Sequence, residues 1–293
     1  MTLELALDRY SAWQTTAPLL NRPVVIQELS PGSAHRVVRV RGESHDGYRD
    51  FAVRFPAAKV LRIAPPFIEE LAILRRAATA ALAPRVVYAS PPHELLVMEF
   101  IVGDSLVSAS QLGTLMRKIH SLSAEGPTLN LWERLGFYAQ VAEERGVRPH
   151  QLIDPNAAEI IAGIEQLHQE PAVLCHNDLG PGNVLAISEQ TQTAEGREMS
   201  REKGQGRTVA IDWEYAAVGS PYFDVAAACA SWPHLSEETI LFTALGSSYN
   251  EQCWRAAKLI YRAIEWNWYQ STGVPKPDHV AHTHFDALLG ART

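Results

Sequence analysis

Two short segments constrain this chain more than any other part of it. Residues 174–183 read Leu-Cys-His-Asn-Asp-Leu-Gly-Pro-Gly-Asn, and 29 positions past that Asn comes Asp212, within Ile211-Asp212-Trp213-Glu214-Tyr215. The first segment offers a carboxylate, Asp178, and five positions on a neutral oxygen donor, Asn183. The second puts another carboxylate, Asp212, just after an apolar run. Phosphoryl transfer from a magnesium nucleotide needs these parts: an acid that orients a hydroxyl, and two hard oxygen ligands for the metal.

Asp178 is therefore the candidate catalytic base, and Asn183 and Asp212 are the candidate magnesium ligands. His176 is expected to support the turn by hydrogen bonds. Gly180-Pro181-Gly182 lets the loop turn tightly enough to bring Asn183 back. An Asp and an Asn at this spacing are a weak signal alone. Their place between apolar segments, ahead of a second segment ending in Asp-Trp-Glu-Tyr, makes a chance loop a poor account.

Composition narrows the function classes. The net charge of −7 argues against nucleic acid or an anionic membrane surface as main partner, and suits a cationic substrate. No apolar run reaches the ~18 residues that a membrane span requires. The N-terminus, with two acids in its first eight residues and no basic leader, does not read as a signal peptide. The three cysteines are far apart in apolar settings and read as reduced core residues of a cytoplasmic protein.

Organisation changes once along the chain. Residues 24–29 and 36–40 read as strands around the turn-forming Ser30-Pro31-Gly32-Ser33. Residues 51–55 alternate as a strand that carries Arg54, 67–80 read as a helix, and 85–88 and 95–101 as further strands. Past Gly103-Asp104 the pattern is helical: 110–122, 131–144, 157–169, 225–231 and 251–270. Short strands at 173–175, 184–187 and 208–211 surround the two motifs. The expected fold is α+β and bilobal, with a small antiparallel-sheet lobe over 1–102 and a larger helical lobe over 103–293. Residues 188–207, with four acids, four bases and three glycines, read as a mobile surface loop between two strands.

Residues 176–183 and 211–216, with Pro221-Tyr-Phe-Asp-Val-Ala226, resemble the choline/ethanolamine kinase, thiamine kinase and aminoglycoside phosphotransferase superfamily, whose members share a protein-kinase-like fold. The resemblance spans about 26–269. It implies ATP and Mg2+ as cofactors, Asp178 as the catalytic residue, and Asn183 and Asp212 as metal ligands. It implies a phosphate-covering loop at 29–33, with Ser30, Gly32 and Ser33 at the nucleotide; a single glycine there departs from the glycine-rich loop of protein kinases. Arg54 stands where protein kinases have a lysine, and its fork suits phosphate oxygens. Glu70 is the expected partner of Arg54, with adjacent Glu69 as the alternative. Met98, Glu99 and Ile101 fall on the hinge segment that meets adenine. Asp224 is expected to cap the helix that follows it, and His120 to pack near the catalytic turn.

No Ala-Pro-Glu activation segment is visible, which favours a small-molecule substrate. Five of the seven tryptophans follow residue 212, and aromatic faces attract amines by about 0.5–2 kcal/mol per contact. Trp213, Glu214, Glu265, Trp266 and Trp268 are thus the candidate substrate pocket, although any single tryptophan alone reads better as core. The expected activity is phosphorylation of a hydroxyl on a small cationic metabolite, choline or ethanolamine first, then thiamine, then an aminoglycoside or sugar. A non-catalytic nucleotide-binding module is the rival reading. His279, His282 and His284 read as an exposed tail rather than a zinc site.

Overall fold

The computed structural model describes residues 3–30, 35–57, 63–187 and 207–277. The chain divides into two compact units, one built from 1–107 and 182–215, the other from 108–181 and 216–293. Reading the sequence as a single switch near Gly103 therefore departs from this division in one respect. The segment 182–215, which carries Asn183 and Asp212, groups with the strand-rich part of the chain.

The first unit opens with a short helix α1 (Leu3–Asp8). Five antiparallel strands follow in the order β1 (Val24–Ser30), β2 (His35–Ser44), β3 (Gly47–Pro56), β5 (Leu95–Glu99), β4 (Val86–Ser90). One face of this sheet is apolar by alternation: Val38 and Val40 from β2, Phe51, Val53 and Phe55 from β3, and Leu95 and Val97 from β5 are buried with Ala6, Leu7 and Trp13. Trp13 meets Phe51 edge to face, with ring centroids 5.2 Å apart. Helix α2 (Phe67–Thr79) starts immediately after Pro65-Pro66 and buries Phe67, Glu70, Leu71, Ile73, Leu74 and Ala77. That stripe has helical spacing, and the glutamate within it is the exception.

The same unit holds a hairpin of β7 (Val184–Ile187) and β8 (Arg207–Ala210), antiparallel with Val184 opposite Ala210 and Ile187 opposite Arg207. The hairpin is tied to the rest of the unit twice. Asp104 and Ala186 exchange backbone hydrogen bonds at 3.1 and 2.8 Å, and Ala210 N–H donates to Leu82 O at 2.8 Å. Gly103 is required at the first of these ties, because a Cβ there would lie 2.8 Å from Ala186 O.

The second unit is helical: α3 (Ala109–His120), α4 (Leu131–Glu144), α5 (Ala158–Leu167), α6 (Pro221–Ser231), α7 (Glu237–Leu245) and α8 (Glu251–Thr272). Capping explains several starts: Ser108 with Gln111 forms a capping box, and Asn130, Ser236 and Asn250 accept N–H bonds from the first turns they precede. Helix α8 lies against α4, α5 and α6, and α3 lies against α7. Gly113 permits the α3–α7 approach, since a Cβ would lie 2.7 Å from Thr243 Cβ and 2.8 Å from Ile240 O. A two-stranded ladder, β6 (Val173–Cys175) with β9 (Ala217–Gly219), leads into the first motif. No helix among the described residues is long and apolar enough to cross a membrane.

Candidate active site

The first motif is divided between the units after Pro181, with Asn183 grouped with Asp212, and each part is held by its own surroundings. In the second unit, the turn after β6 is organised by Asp224. Its carboxylate is fully buried; Oδ1 accepts the Asn177 N–H at 2.7 Å, and Oδ2 accepts the His176 N–H at 3.3 Å and lies 2.8 Å from His120 Nε2. Burial alone would raise the Asp224 pKa. The bond to His120, its charge and that of His176, and the Asn177 N–H outweigh burial and hold it below the usual carboxylate value. Asp224 sits inside α6 and does not cap it, so the capping role expected from sequence is replaced by this brace.

Asn177 needs the brace. Its φ is +62°, in the left-handed region where non-glycine residues are strained. Asp178 follows directly on this held turn. Trp232 Nε1–H donates to Leu179 O at 2.7 Å and fixes the next residue. Cys175, beside Asp224 and His120, is buried, and burial pushes its thiol well above the usual range.

Tyr261 on α8 was not singled out in the sequence. Burial pushes its phenol pKa up, and the charges of Glu265 and Asp178 push the same way, against a bond from Ser231 and the charge of Arg262. An aromatic ring therefore lies within electrostatic reach of two carboxylates in this unit. Glu265 is also paired with Arg262 at 2.7 Å. The ring of Trp266 carries the Lys276 ammonium 3.5 Å from its centroid, and its Nε1–H donates to Gln151 O at 2.9 Å. Trp268 stands edge-on to Tyr269 at 4.7 Å.

In the first unit, the β7–β8 ladder continues one step past the strands, where the Ile211 N–H donates to Asn183 O at 2.9 Å. The candidate ligands Asn183 and Asp212, 29 residues apart in sequence, are thereby neighbours at one end of a hairpin. Asp212 itself has φ +61°, a second strained non-glycine residue at a motif.

Around Asp212 lies a charge cluster. Arg54 from β3 contacts Glu70 Oε1 at 2.6 Å and Asp212 Oδ1 at 3.2 Å. The partner is Glu70 and not Glu69; the Arg54 and Glu70 side chains are 3% and 4% exposed. Desolvation alone would lower the Arg54 pKa, but Glu70, then Asp212 and Glu214, raise it. Asp212 keeps 40% of its side chain accessible. Desolvation pushes its pKa up, Glu214 and Glu70 add to that, and Arg54 and His35 oppose it. His35, at the start of β2, places Nδ1 3.0 Å from Glu214 Oε2, with both side chains under a tenth exposed.

Two pocket residues expected from sequence are placed otherwise. Trp213 is 1% exposed and donates Nε1–H to Ala210 O at 3.0 Å, so it plugs the hairpin end and offers no face to a substrate. Glu214 belongs to the cluster at Arg54 and lies in the first unit, whereas Glu265, Trp266 and Trp268 lie in the second. On the hinge segment, Met98 lies opposite Ala52 in the sheet. Glu99 pairs with Arg85 at 2.6 Å, and Glu99 and Ile101 border an open cleft of about 400 Å³. Ser30 ends β1; Gly32 and Ser33 lie outside the described residues, as do His279, His282 and His284.

The residues present fit a divalent cation and an anionic oxygen. Three carboxylates (Glu70, Asp212, Glu214) surround one guanidinium, leaving an excess of negative charge, and Asp212 and Asn183 supply hard oxygen donors. Arg54 Nε is buried with no hydrogen-bond partner among the described residues, a donor suited to a phosphate oxygen.

Comparison with known proteins identifies the family. The profile of the Phosphotransferase enzyme family (APH) matches residues 25–194. The chain belongs to this family. Among curated proteins none matches. Several solved structures resemble the phosphotransferase in fold. A choline/ethanolamine kinase family protein from Mesorhizobium loti is 17% identical, covering 96% of this chain and 90% of that chain, with a TM-score of 0.62. The choline kinase LicA from Streptococcus pneumoniae is 18% identical, over 90% and 92% of the two chains, with a TM-score of 0.60. A putative fructosamine-3-kinase from Thermobifida fusca is 15% identical, over 92% and 93%, with a TM-score of 0.57. The phosphotransferase thus has the protein-kinase-like fold, with a small antiparallel-sheet unit and a helical one.

Proposed function

We propose that this phosphotransferase uses ATP and Mg2+ to phosphorylate the hydroxyl of a small cationic alcohol, with choline or ethanolamine as first candidates. The observation that carries the cationic preference is Tyr261: its ring lies in the field of both Asp178 and Glu265. An aromatic face near two carboxylates favours a protonated or quaternary amine, at about 0.5–2 kcal/mol for the ring contact. The fold likeness to choline and ethanolamine kinases supports the same reading. A LicA structure in complex with AMP, 17% identical with a TM-score of 0.58, is compatible with an adenine nucleotide.

In this mechanism Asp178 accepts or steers the proton of the substrate hydroxyl. Its backbone is held by the Asp224 brace, so the carboxylate is aimed before the substrate arrives. Asp212 and Asn183 hold the divalent cation, and Arg54, oriented by Glu70, donates to phosphate oxygens. The cation, when bound, neutralises charge on the transferring phosphoryl group. Trp266 and Glu265 contribute an aromatic face and a negative charge toward the amine.

A second reading, thiamine as acceptor, is favoured by the arginine at position 54, a departure from the kinase lysine that resembles thiamine-kinase-like sequences. An ADP-release assay across choline, ethanolamine, thiamine, kanamycin and simple sugars tests both. Turnover on choline or ethanolamine well above the others is expected. Turnover on sugars alone would overturn the cationic reading. Tight Mg-ATP binding without turnover on any acceptor would favour a non-catalytic module.

A further inference from the structure

The contact between His35 and Glu214 joins two places that are far apart in sequence and adjacent in chemistry. His35 is the first residue of β2. Glu214 lies two residues past Asp212. His35 Nδ1 lies 3.0 Å from Glu214 Oε2, and the side chains are 5% and 8% exposed. His35 is also close enough to Asp212 for its charge to act on that carboxyl. Potential ligand atoms of His35, Asp212 and Glu214 all fall within 4.8 Å of one another.

A buried carboxylate beside another carboxylate has a strong reason to turn away. Glu214 and Asp212 repel, both are pushed against one shared guanidinium, and Arg54 is already engaged by Glu70. Glu214 has to be held against that repulsion, and the His35 ring is a directed donor facing it. A histidine can do this in either charge state. Neutral, it donates Nδ1–H to the carboxylate; charged, it donates from both nitrogens. The other ring nitrogen, Nε2, is buried with no hydrogen-bond partner among the described residues, so no described residue competes for the ring's orientation.

We propose that His35 is a positioning residue for the cation site: it holds Glu214 so that this carboxylate, with Asp212, faces the divalent ion. This rests on the assignment of Asp212 and Asn183 as cation ligands given above, and it moves Glu214 from substrate recognition to metal binding. It also links the start of β2 to the candidate cation site. Partners that orient metal ligands generally change metal affinity by about 10–100-fold when removed.

Mn2+ binding in the presence of ADP, read by the loss of the free-ion electron paramagnetic signal, tests the proposal without relying on turnover. The wild type is measured first; failure to bind Mn2+ there, or undiminished binding in Asp212→Ala, defeats the parent assignment and not this one. Given wild-type binding, His35→Ala is expected to weaken Mn2+ about 10–100-fold. His35→Asn, whose amide reproduces a donor near the Nδ1 position, is expected to stay within about threefold of wild type; it keeps the test decisive should the alanine variant fold poorly. A double-mutant cycle separates positioning from packing: in a Glu214→Gln background, His35→Ala is expected to add little further loss. Unchanged Mn2+ affinity in His35→Ala, equal losses in the alanine and asparagine variants, or additive losses in the cycle would each overturn it.

Discussion

The Asp224 carboxylate accepts the backbone N–H of Asn177 at 2.7 Å, across 47 positions of sequence. Asn177 could not otherwise hold φ +62° cheaply, and its successor is Asp178. The strained turn and the buried acid are therefore one device.

Replacing Asp224 with Ala is expected to leave two N–H groups and His120 without their acceptor, at a cost of about 3 kcal/mol or more by urea unfolding. The pH dependence has a definite sign. The folded pKa of Asp224 is depressed, so its stabilisation is present above the unfolded value of about 4 and is lost as pH falls through the lower folded value. The stability gap between wild type and Asp224→Asn should thus shrink on acidification and reach its full size by about pH 6. A gap that widens in acid would contradict the assignment.

Asp178→Ala is expected to lower kcat by about 10²–10⁴ while nucleotide affinity stays near wild type. Isothermal titration with a non-hydrolysable ATP analogue, beside initial-rate kinetics, separates the two quantities. Normal turnover in this variant would remove Asp178 from the mechanism.

Asp212→Asn should have opposite effects on binding and on stability. The folded pKa of Asp212 is raised, so its ionised form weighs against folding above that pKa. With 40% of the side chain accessible, solvent screening keeps this to about 1 kcal/mol or less. Metal-free Asp212→Asn is expected to melt slightly higher than wild type at pH 7.5 and to lose Mg-dependent nucleotide binding. Scanning calorimetry in EDTA and titration calorimetry in Mg2+ read the two effects. A lower melting temperature with unchanged nucleotide binding would refute both halves.

Glu70→Ala strands the Arg54 guanidinium in the interior of the first unit. Both side chains are nearly inaccessible, so a loss of about 3–5 kcal/mol is expected by denaturant unfolding. Glu69→Ala, on the same turn of α2 but only partly buried, is the control and should change stability by less than about 0.5 kcal/mol.

Sequence periodicity carried the fold far. Helices at 131–144 and 251–270, the strand bearing Arg54, and the switch from strands to helices all rest on local spacing, and the structure contains each of them. The ladder between 184–187 and 208–211 was legible because apolar runs flank both motifs. Residues that act through distant partners left no such trace. Asp224 looked like a helix cap because a cap is what an acid in a first turn does locally; its partners lie 47 and 48 positions away. His35 had no motif to mark it, and Tyr261 differed from its aromatic neighbours only through the acids that surround it in space. Trp213 misled for the opposite reason: an aromatic beside a candidate metal ligand looks like a pocket wall until its burial is known.

Ile187 and Arg207 are partners in the same ladder, at the far end from Asn183 and Asp212. The register of β7 on β8 therefore sets where the two candidate ligands stand. A slip of one residue would turn the side chains of one strand to the other face and part the pair, so this short ladder is the gauge of their spacing.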